Sequence, residues 1–159
     1  MTNTTASAPF SSLPPFRRVS DLLRDNARQR PQANALADDD SALDWAALDA
    51  LVDRVAASLQ QAGLQSGDVV AVCAASSVRY AAVYLGALRA GVVVAPLAPS
   101  VTPEAMASML GDAQACLLFA DEPGRAAVPP AVMEGAGALP LVALDDTGAG
   151  SPWMEWLAP

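Results

Sequence analysis

Apolar and polar positions follow two different periods along this chain. Between about residues 45 and 61, Trp45, Leu48, Val52, Val55 and Leu59 recur at three- and four-residue steps. That spacing places them on one face of a helix. Asp49, Asp53 and Gln60 fall largely elsewhere, Asp44 stands where a cap belongs, and Gly63 supplies a stop. Two later runs, VVAVCA from Val69 and VVVAPL over 92–97, show no polar alternation. Strands that are apolar on both faces are covered on both faces, as in a parallel sheet flanked by helices. The segment between them, about 77–90, is apolar almost all round, which predicts a buried helix. Gly86 inside it costs about 1 kcal/mol of helix propensity relative to alanine and points to a closely packed neighbour.

The remaining elements are shorter. Ser20 is placed to cap a helix over 21–30, with Asp21 in its first turn and Val19, Leu22, Leu23 and Ala27 as a modest apolar face. Pro31 ends it. ANALAD at 33–38 and SALD, separated by the acidic turn Asp38-Asp39-Asp40, predict a short hairpin. Thr102-Pro103-Glu104 is a helix start, and Met106, Met109 and Leu110 form its expected inward face. CLLFAD at 116–121 and LPLVALDD at 139–146 read as buried strands, DEPGRAAVPPAV between them as mainly loop, and SPWMEWLAP as one helical turn. Strands alternating with helices imply an α/β fold with a doubly wound, mostly parallel sheet. Residues 1–15, rich in Ser, Thr and Pro, read as a flexible leader, and 16–159 as one partial α/β domain.

Composition narrows the function classes. The 159 residues are 53% hydrophobic and carry a net charge of −8, which opposes binding to nucleic acid or an anionic membrane surface. No uninterrupted apolar run approaches the roughly 18 residues of a membrane helix. The N-terminus lacks the basic start and apolar block of a secretory signal, so a soluble, cytoplasmic protein is expected. Cys73 and Cys116 both lie in apolar runs and read as buried, reduced thiols. The chain has no histidine, which excludes a Ser-His-Asp or Cys-His site within it.

Candidate chemistry is sparse. Thr147-Gly148-Ala149-Gly150-Ser151 is the nearest thing to a phosphate loop, but it lacks a following lysine and reads as a linker. Asp38-Asp39-Asp40 offers carboxylates to a hard cation, yet consecutive carboxylates rarely converge, and a solvated turn is the simpler reading. Ser76 and Ser77 open a helix after a strand, where anions can bind, though capping that helix is simpler. Arg79 and Arg89 offer charge to a phosphate or carboxylate, with surface placement the plainer role. No catalytic, cofactor-binding or metal residue is assigned.

The order of these pieces resembles a known family. RPQANALAD, then LDWAALDALVDRVAASLQQAGLQSGDVVAV, then YLGALRAGVVVAPLAPSVTPEAMASMLGDAQACLLFAD follow the opening of the AMP-forming adenylating enzymes. That family comprises acyl-CoA synthetases, peptide-synthetase adenylation domains and luciferases. The resemblance implies part of the N-terminal domain of the adenylating-enzyme fold. It further implies an enzyme that activates a small-molecule carboxylic acid with ATP to an acyl-adenylate and then a thioester. ATP, Mg and CoA are the implied cofactors of a full-length enzyme, and none is expected for this chain by itself. The family's Ser/Thr/Gly-rich phosphate loop with its lysine is expected beyond Pro159, so the chain reads as truncated before that loop and as inactive in isolation. Ala98 stands where relatives often have asparagine. Ser100 stands where some have a basic residue near the CoA route. Two further readings stay open: a piece of a peptide-synthetase adenylation domain, and a stand-alone, non-catalytic α/β interaction module. Self-association through exposed apolar surface is expected of a sheet whose covering helices lie partly elsewhere.

Overall fold

A computed structural model describes residues 16–145 and 150–159. The leader reading for 1–15, and Thr147–Ala149 of the glycine-containing linker, fall outside the described residues. The helix α1 (Val19–Gln29) precedes an antiparallel hairpin of β1 (Asn34–Ala37) and β2 (Ala42–Asp44). The chain then alternates: α2 (Trp45–Gln61), β3 (Val69–Cys73), α3 (Val78–Ala90), β4 (Val93–Pro96), α4 (Pro103–Asp112) and β5 (Ala115–Ala120). Two short helices, α5 (Glu122–Ala127) and α6 (Pro130–Met133), lead to β6 (Leu141–Ala143), β7 (Ser151–Pro152) and α7 (Trp153–Trp156). The five strands β3 to β7 form one parallel sheet in the order β4-β3-β5-β6-β7.

The two-sided burial expected of VVAVCA follows directly from strand geometry. Val70 and Val72 face one side, where α2 and α3 supply Val55, Leu59, Ala82, Val83 and Ala87. Ala71 and Cys73 face the other, against Met106 and Leu110 of α4. These four of the five β3 residues are fully buried. Phe119 of β5 joins the first side, where Trp156 meets its ring edge-on at 4.9 Å and stacks on Trp153 at 5.8 Å. Ser58 and Arg54 of α2 hold the backbone of Ala158, which donates to the Ser58 hydroxyl at 2.7 Å and accepts from Arg54 at 2.7 Å.

Caps fall largely where residue types place them. Asp44 accepts from Ala47 N–H at 2.8 Å, Ser77 from Tyr80 N–H at 3.1 Å, and Thr102 from Ala105 N–H at 3.3 Å. Gly91 closes α3 with φ 77°. Gly86 is where α3 meets α2: a Cβ there would lie 2.4 Å from Val55 Cγ1, so only glycine admits this approach.

Several expectations are corrected. Helix α1 starts at Val19 with Arg18 in the cap position, so Ser20 lies inside the first turn. Of its apolar face only Leu23 is buried; Val19 and Leu22 stay exposed, because the helix meets α2 and α3 along one narrow line. VVVAPL is not covered on both faces: β4 is an edge strand, and Val93 is 50% exposed. Pro96 leaves that edge one N–H poorer, which discourages further strand addition. Tyr84 and Leu88 of α3 and Met109 of α4 point outward. Cys73 is buried, but Cys116 is exposed: it is skipped in the β3–β5 register, which pairs Val69 with Ala115 and Val70 with Leu117 at the start of the strand. DEPGRAAVPPAV is not mainly loop but carries α5 and α6. Arg89 is no surface residue: its side chain is 5% exposed and bonds the Asp49 carboxylate at 2.6 Å and Asp53 at 2.7 Å. Asp53 is therefore paired, also with Arg24 at 3.7 Å. Among the described residues no helix is long and apolar enough to cross a membrane.

Two stability measurements test this packing. Gly86→Ala should cost about 1–3 kcal/mol in urea denaturation, and far less in a Val55→Ala background where the clashing methyls are gone. Equal costs in both backgrounds would contradict the contact. Val52→Asp, a charge in a fully buried position, should cost about 3 kcal/mol or more. Asp53→Ala should cost about 0.5–1 kcal/mol, since Asp53 is largely solvated and Arg89 keeps Asp49. Similar midpoints for the two variants would show that the α2 face is assigned wrongly.

Candidate functional site

The strand order sets where a site can form. From β3 the chain passes to β4 on one side, then crosses back to β5 on the other. In open parallel sheets the crevice beyond the carboxyl ends of such a strand pair is where ligands bind. A cavity of about 400 Å³ lies there, between the β1–β2 turn, the β3–α3 loop and the ends of β5 and β6. Asp38, Asp40, Ser77, Arg79, Asp121 and Asp145 give it its polar lining.

Three of these carboxylates are engaged by the protein's own N–H groups. Asp121 follows β5, caps α5 by accepting from Gly124 N–H at 2.9 Å, and reaches across to Ala75 N–H at 2.7 Å. Asp145 follows β6, accepts from Glu122 N–H at 2.5 Å, and receives Arg125 on both oxygens at 2.8 and 3.2 Å. Asp38 accepts from Asp40 and Ser41 N–H with one oxygen, at 3.1 and 2.7 Å. With its other oxygen it takes Val78 N–H, in the first turn of α3, at 2.7 Å. The ends of β3 and α5 are pressed together as well: a Cβ on Gly124 would lie 1.7 Å from the Cys73 carbonyl oxygen.

These contacts answer the sequence expectations. Ser77 caps α3, as its residue type suggests. The anion position at that helix start is filled, because the Asp38 carboxylate occupies it. Asp38 is thus not merely a solvated turn residue. Asp39 and Asp40 do not join it around a common point, and among the described residues no group of three or more His, Cys, Asp or Glu is arranged to hold a metal ion. Arg79 is half-buried and donates to the Leu144 carbonyl at 2.7 Å. Arg89 lies in the helix layer, away from the crevice. Asp121 and Asp145 were not singled out from sequence, though Asp121-Glu122-Pro123 after a buried strand carries the composition of a helix start.

Electrostatics follow the same geometry. The Val78 N–H, ahead of the bonds from Ser41 and Asp40, holds the Asp38 carboxyl below the usual carboxylate range despite an opposing desolvation effect. Burial pushes the Cys73 thiol up to about 11, with the Asp121 charge adding to it. Cys73 is therefore a protonated core group and no nucleophile at neutral pH.

One observation decides the family. The profile of the AMP-binding enzymes matches residues 23–152. The chain belongs to the AMP-binding enzyme family. Nonribosomal peptide synthetase 5 of Gibberella zeae is 36% identical over 102 residues, 64% of this chain and 1% of that protein. Syringomycin synthase SyrB1 of Pseudomonas syringae pv. syringae is 31% identical over 123 residues, 76% of this chain and 20% of that protein. A protein assigned as a long-chain-fatty-acid CoA ligase from Rhodopseudomonas palustris superposes with a TM-score of 0.81 at 22% identity, covering 89% of this chain and 36% of that one. The fold is accordingly that of part of the N-terminal domain of the adenylating enzymes. The chain spans a small part of the curated relatives it matches, from 1% to 20% in the two named here.

Asp38 generates a pH prediction. Its carboxyl is held down in the folded state, so its contribution is present above the unfolded carboxylate pKa of about 3.9 and is lost as pH falls through the lower folded value. Denaturation midpoints should fall across that acid window, and less steeply in Asp38→Asn. Parallel acid profiles for the two proteins would contradict the assignment.

Proposed function

We propose that this chain forms part of an enzyme that activates a carboxylic acid with ATP, giving an acyl-adenylate that is passed to a thiol. The family match across 23–152, which spans the whole parallel sheet, carries this reading. CoA is the proposed acceptor, as in the ligase that superposes on 89% of the chain. A second reading, in which the acid is an amino acid and the acceptor a carrier domain, is favoured by the curated relatives at 36% and 32% identity, both peptide synthetases. ATP, Mg and the acceptor thiol belong to the complete enzyme under either reading.

The residues described here do not by themselves fit the triphosphate. Charge developing on the phosphates needs positioned cations and free N–H donors. The crevice donors at Ala75, Val78 and Gly124 are already bonded to carboxylates. All nine basic residues are arginine, so the phosphate-binding lysine that the family resemblance implies has no counterpart among residues 1–159. No catalytic step is therefore assigned to a residue of this chain.

Exchange of radiolabelled pyrophosphate into ATP tests the proposal. The complete polypeptide containing these residues should show exchange that depends on an added acid. The 159-residue chain alone should show none. Dependence on a fatty or aryl acid favours the CoA reading, and dependence on an α-amino acid favours the peptide-synthetase reading. Acid-dependent exchange by the chain alone, or none by the complete polypeptide across all three acid classes, contradicts the proposal.

A further inference from the structure

The β1–β2 hairpin is held in two different ways along its length. At its base, Leu36 and Leu43 pack with Leu48 and Val52 of α2, an apolar contact that anchors the strands. At its tip, Asp38, Asp40 and Ser41 form one wall of the switch-point cavity. The tip is polar and exposed, so it gains little from burial. Among the described residues, the side chain of Asp38 ties it to the opposite wall. Asp38 binds its own turn with Oδ1, at Ser41 N–H (2.7 Å) and the Ser41 hydroxyl (3.0 Å), and the start of α3 with Oδ2, at Val78 N–H (2.7 Å). Both oxygens must be ionised acceptors for the two walls to be joined.

We propose that Asp38 is a latch on this cavity, coupling the hairpin tip to the first turn of α3 so that both open together. When the latch releases, the tip swings about its apolar base and the cavity loses one wall. Val78 N–H then loses its carboxylate partner, because an N–H in the first turn of a helix has no partner within the helix. The hairpin base, the α2 cap at Asp44 and the sheet stay in place, since their contacts do not include Asp38. The device belongs to the fold and does not depend on which acid the complete enzyme takes.

Residue-resolved amide hydrogen exchange on the 159-residue chain tests this. In the unsubstituted protein, Val78 N–H, whose bond to Asp38 crosses the cavity, should be no better protected than Ser41 N–H, whose bond to Asp38 lies within the tip and survives its swing. In Asp38→Ala both should exchange at least about tenfold faster, while Ala47 N–H, capped by Asp44, stays unchanged. Asp38→Asn is the sharper variant. An amide retains one acceptor oxygen and turns the other position into a donor. It should therefore keep one of the two partners protected and lose the other. Asp39→Asn should change none of these amides. An unchanged Val78 in Asp38→Ala would show that Asp38 serves only its own turn and would overturn the latch. So would an equal rise at Ser41, Val78, Ala47 and the β3 amides, which would mean global destabilisation. If Asp38→Ala does not fold, the order of protection in the unsubstituted protein and the split in Asp38→Asn still decide the matter.

Discussion

The arrangement depends on β3 being covered on both faces. Four consecutive fully buried residues, Val70 to Cys73, cannot be satisfied by one helix layer. Helices α2 and α3 must therefore lie on one side and α4 on the other. That in turn requires α3 to approach α2 within glycine distance at Gly86. It also requires the chain to cross from β4 back over β3 to reach β5, which creates the reversal of strand order. The crevice at the carboxyl ends is thus a consequence of how the centre of the sheet is buried.

What distinguishes this crevice is that the protein satisfies it internally. Helix starts and strand-end loops expose N–H groups that attract anions. Here Asp38, Asp121 and Asp145 supply those anions from within, each bridging two elements distant in sequence. The result ties the hairpin, the β3–α3 loop, α5 and the end of β6 into one crest. Membership of the AMP-binding family establishes the lineage of this sheet. The three carboxylates act there as structural caps.

The parts legible in the sequence were those governed by local rules. The α2 stripe, the caps at Asp44, Ser77 and Thr102, the Gly63 stop and the buried β3 run all follow from spacing and residue type. Gly86 was legible as a close approach because glycine inside an apolar helix has few other uses. The failures came where a neighbour distant in sequence decides. β4 reads like β3, yet strand order makes it an edge and exposes Val93. Arg89 reads as a surface residue, yet Asp49 and Asp53, 40 and 36 residues earlier, allow its burial. The candidate site was the least legible part, because the partners of Asp38 and Asp121 lie 40 and 46 residues away. No spacing rule connects such pairs.

At the switch point the N–H donors of Ala75, Val78 and Gly124 are already taken by the chain's own carboxylates. Titrating the isotope-labelled 159-residue chain with AMP and with pyrophosphate, while following the backbone amides of Ala75, Val78 and Gly124, tests it most directly. The account predicts no saturable shift at these three amides with either anion. A saturable shift centred on them would mean that an external anion displaces the internal carboxylates, and would contradict it.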